Sequence, residues 1–416
     1  MGNNPNRKTI LFVSARLPYP ALEGHQIRAY GILKQLSKYH DVHLLSILRP
    51  GENINHTDEL AQRCQSIRGV PLKFDLRENI SAGLRSLFSG LPLVVTRYVT
   101  QNLQQAFQEA LQEIKPDIVH LDLLPLAELI KWIPAHTGIV LNEHNVESDL
   151  IEQKRQILSG RLNQWLYRRE HKLLSGFEKQ ACQRADITLA CSDADKNALI
   201  AMGAREVHTI PNGVDTNALQ PQMADFNPNH LVFLGGMGWY PNRLGVEWFT
   251  AQVLPKIVAL NPATHLHLIG NPEPAAAIPA HMRPYITLHG FVDDFRPLVA
   301  GAGIMIVPLH VGSGTRLKVV ESAALGCCMV STHKGAEGVA LLHNESVIFA
   351  DSPDEFAQAV LALQHDKNEI VRIGKNARII AQEIYDWSAI GHKLHSIYSH
   401  TQNIPVADTA KVECQR

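Results

Sequence analysis

Two doubly wound α/β domains are the fold class this chain predicts, and three observations predict it. At 416 residues it exceeds the size at which a single hydrophobic core keeps growing. Short apolar runs alternate with segments of helical periodicity, the pattern of parallel strands covered by helices on both faces. The alternation starts afresh after a polar stretch ending at His230, which places a second domain there.

The first strand is expected at Thr9–Ser14, a buried apolar run. A loop rich in Pro and Gly follows over residues 15–25, and Gln26–Tyr39 carries Ile27, Tyr30, Leu33 and Leu36 at helical spacing. Further strands are expected at Asp41–Ile47, Asp117–Leu121, Gly138–Leu141 and Asp186–Ala190, the last followed by Ser192 as a helix cap. After Ile210-Pro-Asn-Gly-Val-Asp215 the second series begins with Leu231–Leu234. It continues at His265–Ile269, Ile286–His289, Ile304–Val307, Cys328–Ser331 and Val347–Ala350. Tyr385-Asp386-Trp387-Ser388 opens a last helix whose aromatic residues suit docking onto the first domain, and from about Thr401 a loose tail is expected. The expected division is residues 1–215, residues 216–384, and a returning helix with its tail over residues 385–416. Ligands in such sheets bind beyond the carboxyl ends of the strands, so two facing domains would enclose one deep cleft.

Composition narrows the function classes. With 45% apolar and 19% charged residues and a formal net charge of −1, nothing marks nucleic acid as a partner. Six cysteines without CxxC spacing argue against a zinc site or a disulfide framework and fit a reducing compartment. The N-terminus runs into its first strand without a signal-peptide pattern, and no apolar stretch is long enough to span a bilayer. The expected location is therefore cytoplasmic.

The chemistry concentrates at residues 312–326, Gly-Ser-Gly-Thr-Arg-Leu-Lys-Val-Val-Glu-Ser-Ala-Ala-Leu-Gly, between two apolar runs. Strand, Gly-rich turn, helix and strand are expected in that order. Backbone N–H groups around Gly312, Ser313, Gly314 and Thr315 suit phosphate oxygens, and the helix N-terminus adds partial positive charge. Arg316 and Lys318 supply full positive charges, whereas Glu321 suits the hydroxyls of a sugar. A sugar carried on phosphate is the ligand this implies, and a nucleotide sugar is its commonest form. Solvated helix-face residues and a plain ion pair are the blander readings of the same three charges. Asp193-Ala-Asp195 has the acid spacing of metal-dependent transferases, but it follows Ser192 at a helix opening, where acids favour the dipole. No metal ligand and no divalent-ion requirement is therefore expected.

Two strand ends in the first domain present polar groups at the carboxyl edge, Val119-His120-Leu-Asp122 and Asn142-Glu143-His144-Asn145-Val-Glu147. His120, His144 and Glu147 are candidates for binding an acceptor, and Asp122 is a candidate for a direct part in catalysis.

These motifs together resemble the retaining glycosyltransferases of the GT-B type, two Rossmann-like domains facing across a cleft. The closer likeness is to family 4 and its exopolysaccharide-type members. The resemblance rests on Glu23-Gly24-His25, the linker ending at Asp215, Leu231-Val-Phe-Leu-Gly-Gly236, Trp239-Tyr-Pro-Asn242, Leu268-Ile-Gly270, His289-Gly-Phe-Val292 and the segment 312–326. It implies that Gly24 approaches the donor diphosphate, that Gly270 and Val292 border the nucleobase through their backbone, and that Glu321 binds the ribose. It also implies a residue near the sugar and acceptor at the end of the third strand, where the register leaves His120 and Asp122 open, with Asp122 the preferred one. Asn242 fits either a turn or a ligand role.

Two departures stand out. The family's first acid falls at Ser313, and its usual Arg and Lys after the first strand of the second domain fall near Gly236 and Leu244. Arg316 and Lys318, with Arg243, are then expected to carry the diphosphate charge and to stabilise the leaving group. The implied activity is transfer of a sugar from a nucleotide sugar to a saccharide or lipid-linked saccharide. A nucleotide-sugar 2-epimerase and a non-catalytic binding subunit are the rival readings. A stripe of Leu158, Leu162, Leu166, Leu173 and Phe177 among Arg161, Arg168, Arg169 and Lys172 suits peripheral contact with anionic lipid at the inner membrane face. So does an apolar loop near Leu87–Val95 that contains Phe88 and Pro92.

Overall fold

A computed structural model describes residues 7–54, 58–73, 75–158, 160–221, 225–271, 278–312 and 316–401. The chain divides into two compact units, the first made of residues up to Ile210 together with those from Gly391, the second of Pro211–Ile390.

The first unit holds a seven-stranded parallel sheet. In chain order its strands are β1 (Thr9–Ser14), β2 (Asp41–Leu48), β3 (Ser66–Pro71), β4 (Ile118–Asp122), β5 (Gly138–Asn142), β6 (Ile187–Ala190) and β7 (Val207–Thr209), and the sheet order is β3-β2-β1-β4-β5-β6-β7. The direction of winding reverses between β1 and β4, the kind of edge at which sites form. Central strands read as continuous apolar runs because both faces are covered; all five residues of β4 are buried. Leu103 and Phe107 of the helix Gln101–Ile114 close one face, and Thr100 caps that helix by accepting from the Leu103 N–H.

The second unit carries β8 (Asn227–Leu234), β9 (His265–Ile269), β10 (Ile286–Gly290), β11 (Ala302–Val307), β12 (Cys328–Ser331) and β13 (Ile348–Phe349). Its six-stranded parallel sheet has the order β10-β9-β8-β11-β12-β13. The helix Pro353–His365 covers it with Phe356 and Val360, and a complete capping box of Ser352 and Glu355 opens that helix.

The last helix, Trp387–His400, changes unit at Gly391. Its start is tied down by Asp386, which accepts from the Thr216 N–H and hydroxyl at 3.1 and 2.6 Å. Further on, His395 stacks on Tyr39 at 4.3 Å, and Tyr398 shares a 2.5 Å hydrogen bond with Nδ1 of His120.

Several local expectations are corrected. β3 and β7 lie at the sheet edges; β3 (SIRGVP) is mostly half-buried and β7 has three residues, so neither shows a clear apolar run. The stretch near Leu87–Val95 is not a loop: the helix Leu76–Ser89 ends at Gly90 in a left-handed conformation, and a second helix, Leu93–Tyr98, begins soon after Pro92. The basic stripe is also interrupted, because Leu158 caps the helix Glu147–Ile157 whereas Leu162, Leu166, Leu173 and Phe177 belong to the next one, Arg161–Arg184. The expected loose tail lies outside the described residues beyond Thr401.

A buried imidazole, His40, and a half-buried one, His267, make the fold sensitive to acid. Burial, together with His395 and Arg7, lowers His40 to about 4, and burial with His230, His265 and His289 lowers His267 to about 4. An unfolded chain takes up these protons near the ordinary histidine value of about 6.5, so the unfolded state binds more protons between that value and about 4. Stability from these groups is complete above about pH 6.5 and is lost as pH falls toward 4. Thermal unfolding is expected to show a midpoint lower by at least about 5 °C at pH 4.5 than at pH 7, with a smaller difference in His267→Gln. An unchanged midpoint would refute this.

Candidate active site: two strand edges

In the first unit the register sets Ser14, Asp122 and Asn142 side by side at the carboxyl ends of β1, β4 and β5. Because strand side chains alternate, Phe12, His120 and Val140 lie on the same face two residues deeper. Asp122 accepts from Asn142 Nδ2 at 2.7 Å and from His144 Nε2 at 3.0 Å. Burial raises its pKa, but the neighbouring His144 and His120 more than offset this, and the carboxyl stays well below its usual range. Asp122 is therefore a fixed negative charge, with His144 held against it.

His120 is fully enclosed, stacked on Phe12 at 4.2 Å and bonded through Nδ1 to Tyr398. Its Nε2 lies 3.8 Å from Asp122. Of the two residues left open by the sequence, Asp122 ends the strand and His120 forms the layer beneath it.

Three further residues belong to this edge and were missed in the sequence. Arg28, buried on the helix Gly24–Tyr39, donates through Nε and Nη2 to Asn142 Oδ1 at 3.2 and 2.7 Å, orienting the amide that in turn donates to Asp122. Tyr398 comes from the far end of the chain. His25, next to Gly24, has a depressed pKa caused by burial and by His144, so it too borders the edge. The only signal for Arg28 was a charged residue at an inward helical position; Tyr398 gave none. Gly24 itself opens the helix, behind Glu23, whose carboxylate pairs with Arg16 at 2.7 Å.

Glu147 begins the helix Glu147–Ile157, and its N–H donates to Glu178 at 2.7 Å. Burial and Glu178 push its carboxyl up to about 7. Glu143 is enclosed with neither oxygen hydrogen-bonded among the described residues, and burial beside Glu178, Glu147 and Asp195 holds its pKa far above normal. Ser192 caps the helix Asp193–Ala201 by accepting from the Asp195 N–H at 3.1 Å, in keeping with a capping role for Asp193-Ala-Asp195.

The second site is a floor of glycines at the ends of β8, β9 and β10. Gly235 donates to the Ile269 carbonyl and Gly270 to that of Gly290, each at 2.8 Å. Gly270 has φ +138°, and a Cβ there would lie 2.3 Å from the Gly235 oxygen. A Cβ on Gly235, φ +152°, would lie 2.6 Å from both Lys318 Nζ and Asn242 Nδ2. Only glycine permits this approach. Gly270→Ala is expected to cost roughly 2–4 kcal/mol of stability through strain and backbone clash, measured by denaturant unfolding.

Above the floor, Asn242 donates to the Gly236 carbonyl at 2.8 Å and accepts from Lys318 Nζ at 2.6 Å. That ammonium lies 4.2 Å from the centre of the Phe233 ring. Burial lowers Lys318 to about 7, and burial likewise raises Glu321 to about 7 on the same helix, Leu317–Ala324. Arg316 is buried at the N-cap of that helix, its guanidinium 5.5 Å from the centre of the Trp239 ring. The structure thus gathers Gly236, Asn242, Gly270, Arg316, Lys318 and Glu321 around neighbouring elements. Val292 follows β10 and packs half-buried on the core. Arg243 instead points outward, its side chain 57% exposed and 4.0 Å from Glu247. Ser313, Gly314 and Thr315 lie outside the described residues. Among the described residues no group of three His, Cys, Asp or Glu side chains is placed to hold a metal ion. No described helix is long and apolar enough to cross a membrane.

Comparison with known proteins matches both units in sequence. Residues 23–218 match the family described as Glycosyltransferase Family 4, and residues 228–366 match Glycosyl transferases group 1. An uncharacterised protein of the cps region of Klebsiella pneumoniae is 25% identical over 173 residues; the match spans 39% of this chain and 44% of that relative. Sucrose-phosphate synthase from Thermosynechococcus elongatus has a similar fold, with TM-score 0.69 at 18% identity, over 94% of this chain and 98% of the other. HepE of Anabaena, solved with UDP and glucose, gives TM-score 0.63 at 16% identity, over 94% and 100% of the two chains. WaaG, a glycosyltransferase involved in lipopolysaccharide biosynthesis, gives TM-score 0.63 at 14% identity with the same coverage. With family matches over both units and an architecture shared with these structures, the chain belongs to the GT-B glycosyltransferases, as an enzyme built from a family 4 unit and a group 1 unit.

Proposed function

We propose that this glycosyltransferase takes a nucleotide sugar as donor on its second unit and passes the sugar, with retention of configuration, to a saccharide or lipid-linked saccharide held by its first unit. The place of the reaction is polysaccharide or glycan biosynthesis, a reading supported by the cps-region relative. The observation that carries the donor assignment is the Lys318 ammonium, bonded to Asn242 over a floor that only glycine can form. A diphosphate fits such a site: its negative charge complements the cations Arg316 and Lys318, and the glycine floor lets its oxygens approach the backbone.

As the bond from sugar to phosphate breaks, the departing diphosphate gathers charge, and cations fixed beforehand lower that barrier. Glu321 accepts from the ribose hydroxyls in this reading. Ser313, which replaces an acid, leaves recognition of the sugar to hydroxyl and backbone groups. On the first unit Asp122 holds His144 against the acceptor, and the fixed carboxylate offsets positive charge developing at the anomeric carbon. Cations in the protein replace a divalent ion in this scheme, so chelator is expected to change the rate by less than about twofold.

The test is a panel of UDP-, GDP- and other nucleotide sugars screened by thermal shift with the full chain, since a ligand of the native state raises its melting temperature. The stabilising donor is then incubated with and without saccharide acceptor, and the product's anomeric configuration is read by NMR. Transfer that depends on acceptor supports the proposal. Epimerised donor in the absence of acceptor would establish the epimerase instead, and binding without turnover would point to a binding subunit.

A further inference from the structure

Only residues 143–146 separate the end of β5 from the helix Glu147–Ile157, and His144 is one of them. This turn is pinned to the strand edge through its backbone: the Glu143 N–H donates to the Leu189 carbonyl at 2.9 Å, and the Glu143 carbonyl accepts from the Cys191 thiol at 3.5 Å. Its far end has no anchor of its own. Val146 stands at the N-cap position and makes no side-chain cap, so the first N–H groups of the helix need a partner from elsewhere. Glu178 supplies it from the next helix, Arg161–Arg184, accepting from the Glu147 N–H at 2.7 Å, from the Ser148 N–H at 3.2 Å and from the Ser148 hydroxyl.

Capping a helix does not by itself call for this arrangement. Elsewhere in the chain Asp75, Thr100, Ser192 and Ser352 cap their helices from the adjoining position, without burying a charge. Glu178 instead takes a buried position on its helix, in company with Leu174, Ala181 and Cys182. Burial pushes its carboxyl up, and the donors on Ser148 and Glu147 pull it back. Enclosing a carboxylate is unfavourable unless donors are fixed around it, and here Glu143, Glu147 and Asp149 are further acids close by. Glu143 is itself 1% exposed, with neither oxygen hydrogen-bonded among the described residues. Perturbed acids gathered in this way are a feature of functional sites. What the distant carboxylate adds over a local cap is position, because the turn is then placed by a second, rigid helix.

We infer that Glu178 is a positioning residue for sugar transfer: by fixing the start of the helix Glu147–Ile157 from the neighbouring helix, it holds the turn that presents His144 to Asp122. The inference rests on the reading that this strand edge receives the acceptor. His144 meets Asp122 at 3.0 Å and Asn142 at 3.3 Å, with its side chain 8% exposed. A shift of the turn by about 1 Å takes both contacts out of hydrogen-bond range. Misplacement of that size beside the reacting groups lowers rates by up to about a hundredfold.

The experiment uses the full chain and two variants. Glu178→Gln keeps the shape of the side chain but can no longer accept on both ends, and Ser148→Ala removes the hydroxyl while leaving both N–H bonds. Labelling of individual histidines with diethyl pyrocarbonate, read by peptide mass spectrometry, reports the position of His144 without any substrate. The rate at His144 is expected to rise at least about fivefold in Glu178→Gln and about twofold in Ser148→Ala, while the enclosed His120 stays protected. At saturating donor, kcat/KM for the saccharide acceptor of the transfer assay above is expected to fall at least about tenfold in Glu178→Gln, with donor affinity unchanged. Alanine suits a helix, so Ser148→Ala decides the matter should Glu178→Gln fail to fold. Continued protection of His144 in the folded variants overturns the inference. So does a joint rise at His144 and His120, which marks general loosening, and so does unchanged transfer per folded molecule once His144 is freed. A wild-type chain that protects His144 yet transfers no sugar would overturn the proposed function, and with it the part given to Glu178.

Discussion

Lys318→Ala is expected to lower the rate of sugar transfer by about 10²–10³-fold and to weaken binding of the nucleoside diphosphate product, with little change in stability. The ammonium is held by Asn242 over an aromatic ring and, among the described residues, has no carboxylate within salt-bridge distance, Glu321 on the same helix sensing its charge from further off. The same group makes binding depend on pH. Lys318 is lowered to about 7 and Glu321 raised to about 7, both by burial. Diphosphate requires the protonated amine, whereas ribose hydroxyls donate best to the ionised carboxylate. Affinity is therefore expected to peak near neutrality, falling on the alkaline side as Lys318 loses its proton and on the acid side as Glu321 gains one. Calorimetric titration with nucleoside diphosphates across this range checks it. The alkaline limb should disappear in Lys318→Ala and the acid limb in Glu321→Gln; a flat profile in wild type would remove both residues from the site.

Asp122→Asn tests the other strand edge and is expected to lower kcat by about 10²-fold while leaving the KM for donor within about twofold. The substitution keeps shape and hydrogen-bonding capacity but deletes the charge that His144 and Asn142 are arranged around. A purely structural carboxylate would show the reverse, a loss of melting temperature with turnover per folded molecule unchanged. Tyr398→Phe should reproduce a weaker form of the kcat loss, because the phenol fixes which nitrogen of His120 faces Asp122.

Legibility of the sequence followed burial. Strands closed on both faces, such as β1 and β12, announced themselves as apolar runs and begin and end where expected. Edge strands with one open side did not, since Arg68 and Gly69 interrupt the run in β3. The candidate donor residues stood out in the sequence because they share one short segment and a few glycine turns, where spacing alone puts charge beside backbone N–H groups. Asp122 and His144 were visible as polar ends of apolar strands. Their supports were not: Arg28 reaches Asn142 across 114 residues and Tyr398 reaches His120 across 278, and no local pattern encodes either meeting. Arg243 misled for the same reason, because position after a turn says nothing about the direction of a long side chain.

Tyr398 and His395 also bear on the order in which the molecule matures. Their partners His120, His40 and Tyr39 emerge from the ribosome hundreds of residues earlier, so the layer beneath β1 and β4 stays open until the final helix has been synthesised. Pro211–Ile390 contains the whole of its own sheet and can complete a core during that wait. Chains arrested before Gly391 would thus carry a finished second half and an unsealed first one, a natural target for chaperones and proteases.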